Sequence, residues 1–151
     1  MAHSVPLRGS RALTRGYIES LALIEMIRPS LEASESEILA FARDWVRFAA
    51  RHGLDEALRL IDKRDSDPSW SEAFVRSISE DHFGDGETCV ITAPDPFGEL
   101  RVDAYRYNDG SGFAVDHDLA MNHKRSDFTA QFEFRKTREG YAIYLADIHV
   151  L

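Results

Sequence analysis

The spacing of apolar residues changes once along the chain, near residue 85, from a helical to a strand-like period. That single change excludes the strand-helix alternation of a parallel sheet. It leaves an α+β fold in which a helical part covers one antiparallel sheet. In "SESEILAFARDWVRFAARHG" the positions Ile38, Phe41, Ala42, Trp45, Phe48 and Ala49 recur at steps of three and four, the stripe of a helix that buries one face. Ser34 and Glu37 are spaced as a capping box at its start, and Gly53 is placed to end it. Upstream, "GYIESLALIEMIRPS" puts Tyr17, Leu21, Ile24 and Ile27 on one face, widened by Leu23 and Met26 and stopped by Pro29. "LDEALRLIDKR" predicts a short helix with Leu54, Leu58 and Ile61 inward. A fourth helix is predicted after the polar break "RDSDP", with Ser69 and Glu72 as a second capping box and Trp70, Phe74 and Ile78 as its stripe.

From Glu87 the period is two. "ETCVIT" leads to a turn over Pro94 to Gly98, after which Leu100, Val102 and Ala104 alternate with Arg101, Asp103 and Tyr105. Asn108 to Gly112 is a run of turn formers, so the next strand returns antiparallel, with Phe113, Val115, His117 and Leu119 on one face and Ala114, Asp116 and Asp118 on the other. "DFTAQFEF" sets Phe128, Ala130, Phe132 and Phe134 against Thr129, Gln131 and Glu133. In "YAIYLADIHVL" Tyr141, Ile143 and Leu145 oppose Ala142, Tyr144, Ala146, Ile148 and Val150; a strand apolar on both faces predicts an interior position in the sheet. The expected product is about four N-terminal helices packed on a curved antiparallel sheet of about five strands. Residues 1–15 are expected as a flexible basic arm and 16–151 as one domain, helical over 16–84 and sheet over 85–151.

A chain of 151 residues with 44% hydrophobic content is large enough for one core and too short for two full domains. Cys89 is the only cysteine, so neither an internal disulfide nor a cysteine-based zinc site is available, which suits a cytoplasmic location. The opening residues lack the continuous apolar run of a secretory signal, and no stretch approaches the roughly 18 apolar residues of a membrane span. Residues 1–15 hold Arg8, Arg11 and Arg15 and no acid, which puts −11 on residues 16–151 against −8 for the whole chain. Such a body repels nucleic acid and suits a basic protein partner, although excess acid also serves solubility alone.

The stretch "SGFAVDHDLAMNHKRSDF" gathers the groups with most chemical potential. Strand alternation places Asp116 and Asp118 on one face and His117 on the other, so the trio cannot converge on one ion without a bulge. Asp103 on the paired strand is able to join the two aspartates, as a hard-cation patch or as a face for a basic partner. Lys124 and Arg125 offer an anion site, and Ser126 and Asp127 read as turn formers at a strand start. Asp147 and His149 share a face two residues apart, half of a catalytic triad, but no serine elbow accompanies them and Cys89 sits in an apolar strand. No phosphate-binding glycine loop and no HExxH motif occurs, and neither a metal, a cofactor nor catalytic residues are expected. If the sheet is strongly curved, Trp70, Phe74, Tyr105 and Tyr141, with His117, Asp127 or His149 as polar groups, would line a pocket on its concave face.

The segment "YRYNDGSGFAVDHDL…KRSDFTAQFEF…GYAIYLADIHVL" resembles the C-terminal sheet of small uncharacterised bacterial proteins with an R-S-D-[LF]-T strand start and a D-[IL]-H-V-L close, some of them immunity-like. Arg125, Ser126, Asp127, Asp147 and His149 carry that resemblance, over about residues 85 to 151. It implies the sheet and transfers no catalytic residue. The expected role is therefore a non-catalytic acidic binding protein, of immunity type, that neutralises a basic partner such as a toxin through Asp103, Asp116 and Asp118. The alternative is a ligand-binding or enzymatic domain that uses the concave pocket.

Overall fold

The computed structural model describes residues 28–68, 70–83, 89–98 and 100–150. Three α-helices are described, α1 (Glu35–His52), α2 (Leu54–Leu58) and α3 (Glu72–Phe83), followed by strands β1 (Ile91–Thr92), β2 (Val102–Arg106), β3 (Gly112–Met121), β4 (Lys124–Thr137) and β5 (Gly140–Val150). The helix expected around Tyr17 to Ile27, the basic arm 1–15 and the Ser69 cap lie outside the described residues.

α1 starts where its sequence predicts. The Ser34 hydroxyl accepts from the Glu37 amide at 3.3 Å and donates to the Glu37 carboxylate at 3.3 Å. Gly53 ends the helix at φ +94°, where its amide reaches the Ala49 carbonyl at 2.9 Å. The stripe Ile38, Phe41, Ala42, Trp45, Val46 and Ala49 is buried on the sheet. Phe41 meets Phe134 edge-on at 5.4 Å, Trp45 meets Phe132 at 5.2 Å, and the Trp45 indole donates to the Ala57 carbonyl at 2.8 Å, which ties α2 to α1.

α3 departs from its predicted phase. Ser71 caps it, accepting from the Phe74 amide at 3.1 Å, so Trp70 precedes the helix and cannot belong to its stripe. Val75 and Ser79 turn inward instead, and Phe74 is left 45% exposed.

The five strands form one antiparallel sheet in the order β1-β3-β4-β5, with β2 beside β1 on the same edge of β3. The β2–β3 hairpin closes through the Asn108 to Gly112 loop as expected, with the Tyr107 amide bonded to the Gly112 carbonyl at 2.9 Å. The next turn is tighter than the sequence suggested. Asn122 and His123, at φ 50° and 63°, make a two-residue connection, so β4 begins at Lys124 and takes in the residues read as a junction. Asn122 is held from outside by Val90, whose amide donates to its side chain at 3.1 Å and whose carbonyl accepts its backbone amide at 3.0 Å.

β5 lies at the sheet edge, not inside it. Its apolar second face is explained by a bulge: pairing shifts between Gln131 and Phe132, and this moves Ile148 to the buried side with Tyr141, Ile143 and Leu145. The edge is covered at one end by the loop after α2. Asp62 donates its amide to the Ile143 carbonyl at 2.7 Å and accepts the Ile143 amide on its carboxylate at 2.9 Å, imitating a further strand. Arg28 bonds Asp62 at 2.9 Å and the Tyr141 carbonyl at 3.3 Å. Burial disfavours charge on Asp62, but the Arg28 guanidinium and the Ile143 amide outweigh it and hold its pKa below the usual value.

Candidate functional site

The inner face of the sheet carries Phe113, Val115, His117, Ala130, Phe132, Phe134, Ile143 and Ile148, all buried beneath the helices. The other face has no described helix packed on it, and most of its residues are polar. The ladder puts them in two cross-strand rows. Asp103, Asp116, Gln131 and Asp147 are direct neighbours across β2, β3, β4 and β5. Beside them Arg101, whose carbonyl accepts from the Asp118 amide at 2.9 Å, continues through Asp118 to Thr129 and His149. These two rows thus hold four aspartates and one arginine, which contacts three of them.

Arg101 is the group that sequence reasoning passed over. Its guanidinium contacts Asp103 at 3.1 Å, Asp118 at 3.2 Å and Asp116 at 3.7 Å, so it occupies the place a cation would take between them. Partial burial opposes its charge, but the hydrogen bonds to Asp103 and Asp118 and the nearby carboxylates prevail and raise its pKa above the usual value. The expected acidic trio is therefore already part-neutralised. The clue was in the alternation, which sets Arg101 on the face of Asp103. Asp118 also accepts from the buried Thr129 hydroxyl at 2.8 Å, and Asp116 accepts from Gln131 at 3.3 Å. Among the described residues, no cluster of three or more histidine, cysteine or acidic side chains is arranged to hold a metal.

Further along the same face Arg64 bridges Asp67, at 2.8 Å, and Glu133, and lies 4.1 Å from the Tyr144 ring. Glu133 also accepts from Arg135 at 3.0 Å. Burial resists its ionisation, yet the two arginines keep its pKa below the ordinary carboxylate value. This cluster is internally balanced, and the surplus negative charge lies in the rows above it.

Asp147 and His149 stand 3.3 Å apart on that outer face, but the hydroxyl paired across from His149, that of Thr129, is fully buried and donates to Asp118. Lys124, Arg125 and Asp127 lie at the turn end of β4 and are exposed; Arg125 and Asp127 are already engaged. Ser126 donates to the Leu119 carbonyl at 2.8 Å and accepts the Phe128 amide at 3.2 Å, serving the irregularity where β3 and β4 change register.

Among the described residues, the groups expected to line one pocket do not share a face of the sheet. His117 and Tyr141 are buried in the core, whereas Tyr105 and His149 point from the opposite face, and Phe74 is exposed on α3. The helix-covered side is packed with aromatic rings of β4 against α1, and those four residues are divided between the two sides of the sheet.

His117 is fully buried, as the alternation requires, with Nδ1 2.6 Å from the Asp118 carbonyl and Nε2 without a partner among the described residues. That pairing fits a neutral ring with the proton on Nδ1. Burial is the main cause that lowers its pKa from 6.5 to about 4. The unfolded chain therefore binds the extra proton first. Stability from this group is complete above pH 6.5, falls as pH drops and levels off below about 4, a loss of about 3 kcal/mol in all. The variant His117→Asn keeps a donor near the Asp118 carbonyl and removes the titration. Urea unfolding at a series of pH values is expected to show a shallower acid loss for the variant between pH 7 and 5. Parallel curves for the two proteins would contradict a buried neutral His117.

A family model described as "Domain of unknown function (DUF7668)" matches residues 53–151, which span α2, α3 and every strand of the sheet. No curated protein and no solved structure matches the chain.

Proposed function

The chain belongs to the DUF7668 family of domains of unknown function, and from the geometry of its sheet we propose that it is a non-catalytic binding protein whose outer face engages a basic protein surface. One observation carries this reading. Asp103, Asp116, Asp118 and Asp147 lie in two adjacent cross-strand rows whose one arginine is Arg101, and so leave an excess of three carboxylates over guanidinium there. The −11 of residues 16–151 reinforces that field and opposes phosphate-bearing partners. The partition of the groups that suit catalysis supports a binding role: His117 and Cys89 are buried in the core, while Asp147 and His149 are outside beside a hydroxyl already bonded to Asp118. The narrower form of the proposal is an immunity-type protein of the cytoplasm that blocks a cationic toxin surface such as that of a nuclease.

The test is capture from the native cell at low salt, with the wild type and with Asp103→Asn, Asp116→Asn and Asp147→Asn combined. Asp118 is spared because Thr129 and Arg101 both depend on it. The expected result is a retained protein of pI above about 9 that the triple variant fails to hold. Retention of the same proteins by both would overturn the proposal.

A further inference from the structure

A cleft of about 250 Å³ lies at the other side of the β5 edge, between the end of α2 and the start of α3. Its apolar walls are Leu58, Ile61, Trp70 and Leu145. The Trp70 indole donates to the Leu145 carbonyl at 3.1 Å, which fixes the ring and presents its aromatic surface to the cleft with its one polar atom already satisfied. Two acids line the cleft, and both are neutralised from within: Asp62 by Arg28 and the Ile143 amide, Asp67 by Arg64. Lys63, also in the lining, is exposed and makes no ion pair or hydrogen bond among the described residues. Arg59, also in the lining, pairs with Glu56 at 3.0 Å, so Lys63 is the cation of this aromatic-walled slot left without a counter-charge among the described residues.

From this we infer that the cleft is a binding site for a small aromatic carboxylate, its ring against Trp70 and its carboxylate on the Lys63 ammonium. The volume limits the occupant. At about 250 Å³ it is below the roughly 300–1,000 Å³ of sites for drug-sized molecules, and suits one small aromatic group, single or fused, with a short acid arm. The charge selects the headgroup, since an ammonium favours a carboxylate over a neutral amide by the added strength of a charge-assisted hydrogen bond. The inference is independent of the proposed role for the acidic face, because the two sites use different residues and opposite charge.

The experiment is a nitrogen-proton correlation titration of the full chain with indole-3-acetate, its primary amide and the corresponding amine, tryptamine. Trp45 and Trp70 give the two indole signals, and Trp70→Phe identifies which is which. The expected result is a saturable shift of the Trp70 indole signal at millimolar ligand or below with the acid. Binding should be about tenfold weaker with the amide and undetectable with the amine, a tenfold change being what one charge-assisted contact supplies. Lys63→Met should reduce affinity for the acid by about tenfold without moving the Trp70 signal of the free protein. Absence of a saturable shift, equal affinity for acid and amide, or acid binding unaffected by Lys63→Met would each overturn the inference.

Discussion

Gly112→Ala is expected to destabilise the protein by about 3–5 kcal/mol, a large part of the total for a domain of this size. Two independent causes act there. Gly112 adopts φ +150°, which side chains rarely accept, and a Cβ on it would meet the Phe134 carbonyl oxygen at 1.8 Å. That carbonyl belongs to β4 at the point where β3 pairs Phe113 with Phe134, so it cannot withdraw without opening the ladder beneath the Phe41 contact. Gly110, two residues away, supplies the control. It also has a positive φ, +75°, but a Cβ there meets nothing within 4 Å. Gly110→Ala should therefore cost only the backbone strain, about 1 kcal/mol. Urea unfolding of the two variants separates the effects. Equal losses would mean that β3 and β4 do not approach as closely at Gly112 as described.

Much of this architecture was readable because the apolar period is strong. The α1 stripe, the cap at Ser34, the β2–β3 hairpin and the inward set Phe128, Ala130, Phe132 and Phe134 all follow from spacing alone. The failures have specific causes. The bulge at Ala146 inverts the inside-outside pattern of β5 midway, so a buried Ile148 read as part of a second apolar face and an edge strand looked interior. The turn at Asn122 and His123 hides its left-handed backbone behind a histidine, where a glycine would have announced it. At α3 the Ser69 and Glu72 spacing matched a capping box, but Ser71 takes the cap, and the inward face passes from Phe74 to Val75.

The candidate site was legible in part for the same reason. Alternation alone separated His117 from Asp116 and Asp118, and pairing in register then brought in Asp103 and Asp147 from strands some 13 and 30 residues away in sequence. Arg101 was missed because a cation among acids attracts less notice in a sequence than the acids do. Its position nonetheless changes the chemistry, since a partner's cation must share carboxylates already bonded to it.

The acidic face makes the largest functional prediction. Changing Asp103, Asp116 and Asp147 together to Asn removes three charges, while Asp118 remains to hold Arg101 and Thr129. Asp103 and Asp147 have side chains 47% exposed, so their removal should affect stability little, within about 0.5 kcal/mol each. Association is different, because charge complementarity raises encounter rates by roughly 10 to 10³ and loses that advantage as salt screens it. Stopped-flow association with the captured basic protein, at about 0.02 and 0.5 M salt, shortens the screening length from roughly 20 Å to 4 Å. The expected result is a wild-type rate that falls at least tenfold across that range, and a triple variant that is slow at both salts although it still unfolds cooperatively in urea. Wild-type and variant rates that coincide, with neither responding to salt, would contradict a binding role for this face.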